Sequence, residues 1–435
     1  MQNRTTKELF DLVKGMSKWE KKSFHRYARR NSNSESLKVL SLFSVLNAME
    51  AYSEKAFAQK TKGMQCRQLP SLKVYLYNQI LDSLRVCKNE DSLLLQLHQL
   101  MDHANILYSK GFWAQALKVL KRLKKTAAAY HQVSFLFQAL SLQRKLELLC
   151  GTCSAEQVGE LSNELAECSQ QLSLISHLSN QSMLLYGCFR RCGPLQTEEE
   201  KRRAGEIYWL CCEVEDERLS FYARLYFLQA KTYYYQLTND AAQFSQSASE
   251  WVDHFDQNRQ MLKVEPLQYQ RGLFYLNEAA FLHKQKDTLH RTAGLLEESN
   301  DPFYQLSAAL NLCLFEKAAG NDLLDEAYRH IQSPGNPSRL LKICCQAARL
   351  CFQVANYERS LDFIFVGLQQ KTEVRIDLQY ELRLLQLAAH KELGHDRLVE
   401  SLELSARRFA KTYKLVAAVE KEQPLTKYFG TASST

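Results

Sequence analysis

Cys150-Gly-Thr-Cys153 is the stretch whose residue types and spacing offer chemistry most directly. Two thiols three positions apart at a helix end can cycle between dithiol and disulfide, because a helix N-terminus lowers the pKa of the first thiol. The βαβ surroundings expected of such a redox pair are missing from the flanking sequence. Cys188 and Cys192, at i and i+4, could instead join the first pair as a four-thiolate zinc site. Packing and turn residues are the plainer reading of all four. We therefore expect neither metal nor cofactor.

Other catalytic patterns are missing as well. The eleven histidines include no HExxH, and no GxxxxGK[ST], GxGxxG or GxSxG occurs. Phosphate cradles and nucleophile elbows thus have no support in the sequence. The expectation is a protein that is not an enzyme.

Charge offers a second kind of chemistry. Residues 1–34 carry nine Lys/Arg against three Asp/Glu, within a chain of net charge +8. Lys18, Lys22, Arg26 and Arg29 fall near one helix face, interleaved with Trp19, Phe24 and Tyr27. Such a stripe can neutralise phosphates, which makes a regulator contacting nucleic acid the alternative function. No helix-turn-helix or RNA-binding module accompanies it, so a solvated face with its aromatics packed inward is preferred. The Lys118, Lys121, Arg122, Lys124, Lys125 cluster reads the same way.

The elements that position these residues are helices. Gly (15) and Pro (7) are scarce in 435 residues, and Leu, Gln, Glu, Lys and Ala fill the long segments. Apolar residues recur at helical spacing nearly throughout, as in LPSLKVYLYNQILDSLRVC (69–87), where Leu72, Tyr75, Leu76, Ile80 and Leu84 fall near one face. Breaks such as YSKG (108–111), CGPLQTEEE (192–200) and SPGNP (333–337) leave segments of about 15 to 25 residues. Ser17-Lys-Trp-Glu20 predicts a capping box, and Pro337-Ser338 a helix start. No run alternates as a strand would. No apolar leader follows MQNRTTKELF and no apolar run is long enough to span a bilayer, so a soluble, cytoplasmic chain with reduced cysteines is expected.

The helices come in pairs. ANILYSKGFWAQALKVLKRL (104–123) supplies Ala104 and Ala116 for close approach of two helices, Gly111 for a tight turn, Trp113 beside it, and Leu120 and Leu123 for the next pair. Matching offsets recur in AARLCFQVANYERSLDFIFVGL (347–368) at Ala348, Cys351, Ala355, Tyr357, Ser360, Ile364 and Gly367. A weaker copy holds Ala230, Tyr233 and Ala242. This spacing resembles the tetratricopeptide repeat, a helix–turn–helix unit of about 34 residues. The resemblance implies an all-α, right-handed α-solenoid of antiparallel helix pairs built from degenerate repeats. Residues 1–92 form its N-terminal basic helical cap, 93–410 the array, and 411–435 a helix end and loose tail.

The opening segments LVKGMSKWEKKSFHRYARR (12–30), SLKVLSLFSVLNAM (36–49) and YLYNQILDSLR (75–85) also resemble those of a family of bacterial helical-repeat proteins. Both resemblances imply a protein–protein interaction scaffold or adaptor, gripping a peptide or protein partner in a concave groove. Tetratricopeptide geometry places Met101, Asn105 and Tyr108, then Phe227, Lys231 and Tyr234, then Cys345, Arg349 and Phe352 on that groove. Aromatic anchors and cations there would suit a partner carrying carboxylates.

Overall fold

A computed structural model describes residues 2–30, 34–60, 69–88, 92–150, 154–214, 219–318, 320–333, 335–370 and 373–415. Cys153 and the tail after Pro424 lie outside these residues. The described chain is all-α, with no strand among the described residues. Its first helices are α1 (Gln2–Gly15), α2 (Lys18–Arg30), α3 (Ser34–Ala48), α4 (Glu54–Lys60), α5 (Leu69–Lys88), α6 (Leu93–Ser109), α7 (Trp113–Ala129) and α8 (Val133–Cys150). Then come α9 (Ala155–Cys192), α10 (Glu198–Cys212), α11 (Phe221–Thr238), α12 (Ala241–Gln257), α13 (Pro266–Leu282) and α14 (Lys286–Glu297). The last are α15 (Pro302–Glu316), α16 (Asn321–Ile331), α17 (Pro337–Gln353), α18 (Tyr357–Leu368), α19 (Ile376–Glu392) and α20 (Asp396–Thr412). Among the described residues no helix is long and apolar enough to cross a membrane.

The chain divides into two compact units, 1–127 with 138–153, and 128–137 with 154–435. In the first, Leu9, Val13, Phe24, Leu42, Phe43, Leu46, Leu76 and Ile80 form a closed apolar core between α1, α2, α3 and α5. The rings of Phe24 and Phe43 lie 4.7 Å apart. Leu76 and Ile80 of α5 are fully buried as the periodicity predicts, while Tyr75 turns outward. The capping box of α2 is present: Glu20 N–H donates to Ser17 Oγ (3.2 Å) and Ser17 N–H to Glu20 Oε2 (2.7 Å).

The second unit is a succession of packed helix pairs around one large core, with smaller apolar clusters between α19 and α20. Its opening helix departs from the sequence expectation. α9 runs unbroken for 38 residues, well beyond the 15 to 25 expected. Nothing between Ser154 and Cys192 supplies a stop signal, and the helix buries Leu161, Cys168, Leu178, Leu185 and Phe189 along its length. α9 packs along α11, and α13, α15, α17 and α19 follow side by side. α17 starts at Pro337, with Asn336 capping it through Ser338 N–H, as the sequence predicts.

One turn recurs and explains the scarcity of glycine. Gly111, Asn239, Lys284, Lys317, Ala355, Gly394 and Lys414 each hold a positive φ just past a helix end. The next residue's N–H reaches back five positions to a carbonyl, as Phe112 does to Leu107 (2.9 Å) and Asn356 to Cys351 (2.9 Å). Five of the seven positions carry a side chain where glycine would be strain-free. At two other glycines a neighbour leaves no room for a side chain. A Cβ at Gly367 would lie 2.5 Å from Leu382 Cδ1, and one at Gly193, where φ is +74°, would lie 2.1 Å from Asp377 Cγ. Ala104, Ala116, Ala230 and Ala348 are fully buried, whereas Ala242 is exposed and forms no close approach.

Two substitutions separate these roles. Ala355→Gly should raise stability by about 0.5–1 kcal/mol, because it relieves left-handed strain at an exposed turn. Gly193→Ala combines that strain with a clash and should lower it by about 2 kcal/mol or more. Chemical denaturation of both variants measures the two signs.

Candidate functional site

Three buried amides align α13, α15 and α17. Asn277 Nδ2 donates to Thr292 Oγ1 (2.9 Å), Asn311 Nδ2 to Asn277 Oδ1 (3.0 Å), and Gln346 Nε2 to Asn311 Oδ1 (2.6 Å). Gln346 closes the series on Ser307, donating to its carbonyl (3.1 Å) and accepting from its hydroxyl (3.0 Å). The three stand 34 and 35 residues apart. Asn311 Nδ2 also reaches Glu278 Oε1 (2.7 Å), and Glu278 pairs with Lys342 of α17. The ladder therefore positions charged groups as well as helices.

Those groups border a cleft of about 520 Å³ in the second unit. Its aromatic wall is Tyr186, Phe189, Phe274, Tyr275, Phe303 and Tyr304, with Leu267 63% exposed at α13. Five cations, Arg190, Arg271, Arg339, Lys342 and Arg375, face two carboxylates, Glu278 and Asp301. Arg339 lies 4.7 Å from the Phe303 ring centroid and donates to Asp301 Oδ2 (2.7 Å). Asp301 Oδ1 caps α15 through Phe303 N–H (3.0 Å). The far side is set by a joint between α9 and α19. Arg375 N–H donates to the Arg190 carbonyl (2.9 Å), and its guanidinium lies 4.6 Å from the Phe189 centroid while forking onto Asp377 at 2.8 and 2.6 Å.

The positions selected from repeat spacing fall elsewhere. Met101, Asn105 and Tyr108 lie on α6 in the first unit, Asn105 exposed and the other two half-buried. On α11, Phe227 packs against the core, Lys231 pairs with Glu250 of α12 (2.7 Å), and Tyr234 stacks on Tyr208 of α10 with centroids 4.3 Å apart. On α17, Cys345 is buried, Arg349 pairs with Glu381 of α19, and Phe352 meets Tyr357 edge-on at 5.2 Å. None of them lines the cleft. Repeat spacing missed its residues because they lie nearer the N-terminal ends of α13, α15, α17 and α19 and the C-terminal end of α9. The amide spacing of 34 and 35 residues was a legible signal for the ladder.

The thiols divide by burial. Burial pushes the Cys344 thiol up to about 12, and burial aided by the neighbouring Cys212 does the same to Cys211. These are packed apolar groups rather than nucleophiles. Cys188 and Cys192 sit in the last turn of α9, Cys188 raised chiefly by burial. Among the described residues no three His, Cys, Asp or Glu side chains are grouped to hold a metal ion.

The basic stripe of the first unit is solvent-facing. Lys18, Lys22, Arg26 and Arg29 of α2 are all exposed, and none forms an ion pair among the described residues. Phe24 is buried, but Trp19 is 57% exposed beside Lys18. Comparison with protein-family models, curated proteins and solved structures finds no match.

Asn311→Leu should destabilise the second unit by about 3 kcal/mol, since it strands Asn277, Gln346 and one oxygen of Glu278 in a buried setting. A loss below about 1 kcal/mol in denaturant titration would show that water replaces the ladder without penalty.

Proposed function

We propose that the chain is a protein-interaction scaffold. On this reading the helix pairs from α11 to α20 form a right-handed, tetratricopeptide-like array, and the cleft receives a segment of a partner protein. The amide ladder at 34- and 35-residue spacing and the repeated left-handed turns support the array. One observation carries the function: a cleft with six Phe and Tyr side chains and five cations against two acids. Aromatic and arginine anchors dominate binding energy at protein interfaces. An extended or helical segment with apolar and acidic residues matches that lining.

Peptide display on the full chain tests it. Selected peptides should bind the wild-type protein and lose about tenfold or more in affinity on Leu267→Asp. Leu282→Asp serves as control, being 62% exposed on the same helix outside the cleft. Both exposed variants should melt like the wild type. Equal effects of the two, or no peptide above background, would sink the reading.

A second reading rests on α2, where four exposed cations, without acidic partners among the described residues, flank an exposed tryptophan. On this reading the stripe contacts a nucleic-acid backbone. Four phosphate contacts predict a log K against log salt slope of about −3 to −4, abolished when Lys18, Lys22, Arg26 and Arg29 become Glu. No binding of single- or double-stranded probes at low salt would remove it.

A further inference from the structure

The cleft holds more positive charge than its own acids balance. Glu278 is occupied by Lys342 and Asn311, and Asp301 by Arg339 and the α15 cap. Arg375 is matched by Asp377. Two cations remain. Arg271, on α13, lies among tyrosines, its guanidinium 4.5 Å from the Tyr186 centroid and 5.3 Å from that of Tyr233. Among the described residues it forms no ion pair with a carboxylate. Arg190, in the last turn of α9, has its Nε buried without a hydrogen-bond partner among the described residues. Tyr186 and Arg190 are i and i+4 on α9, so the ring that carries Arg271 stands on the same helix face as Arg190.

Enclosing a cation without an anion opposes folding, and ring contacts offset only part of that cost. Arg271 also hydrogen-bonds the Tyr275 side chain, and a guanidinium over an aromatic ring can fork its remaining N–H groups onto an oxyanion, as a lysine ammonium cannot. We infer that Arg271 and Arg190 form a subsite for an oxyanion, a carboxylate or phosphate group, presented at the cleft by its ligand. The inference rests on the reading of the cleft as a binding site and adds the group it selects. The anion completes a charge balance that the folded chain leaves open.

Thermal unfolding of the full chain at constant ionic strength tests it first. Sodium phosphate or glutarate should raise the midpoint over sodium chloride by about 3 °C. Arg271→Met should lose this response and melt no lower than the wild type in chloride, because it removes an unbalanced charge. Arg190→Gln is the second variant, expected to weaken the response. The source of the anion is read from the displayed peptides. A tenfold loss on changing their Glu residues to Gln, absent in Arg271→Met, assigns the oxyanion to a partner side chain. A phosphate response without that dependence assigns it to a free small anion. Peptides that bind regardless of Glu→Gln, with no anion raising the midpoint, would overturn the subsite while leaving the cleft reading intact. A phosphate response lost in Arg271→Met, with no peptide selected, would uphold the subsite and overturn the peptide reading. A response retained by both variants, or Arg271→Met melting several degrees lower in chloride, would show that the arginine serves only to brace the tyrosines.

Discussion

The hydrogen-bonded line from Asn277 through Asn311 to Gln346 is the constraint on which the second unit depends. Apolar packing between helices is non-directional and tolerates sliding. A buried amide tolerates none, because a shift of one position leaves a donor or acceptor unmatched in a low-dielectric interior. The ladder thus sets the register of α13, α15 and α17, and through Asn311 and Glu278 it also sets where Lys342 stands. The charge pattern of the cleft follows from a packing device.

The joint between α9 and α19 is the second constraint. Arg375 sits at φ +49°, a conformation unfavourable to a side chain, yet it caps the Arg190 carbonyl, covers Phe189 and pairs with Asp377. Gly193 makes room for that carboxylate, since any Cβ there would overlap it. Local strain is held in place by several contacts at once, the circumstance in which such strain persists. Both arginines at the joint also border the cleft, so the element that fastens the unit shapes its candidate site.

Much of the local structure was legible. The Ser17–Glu20 box, the start at Pro337 and the turn at Gly111 follow from residue chemistry that acts within one helix or one turn. The length of α9 was not, since missing stop signals permit a long helix without requiring one. The repeated left-handed turn was hidden because Lys, Asn and Ala occupy it as well as Gly. The groove positions read from spacing on α11 and α17 proved to be engaged between helices: Lys231 by Glu250, Tyr234 by Tyr208, Arg349 by Glu381.

The sequence by itself determined an all-helical chain, its capping and its small-residue contacts, because helical periodicity and capping depend on neighbours three or four positions away. Only the tertiary structure decided which charges are matched. Glu278 and Lys342 are 64 residues apart, and Arg339 and Asp301 are 38 apart. Whether Arg271 meets an acid or a ring of tyrosines depends on helices far along the chain arriving beside it. Charge balance in a cleft is a sum over distant residues, and spacing along the chain carries no record of that sum.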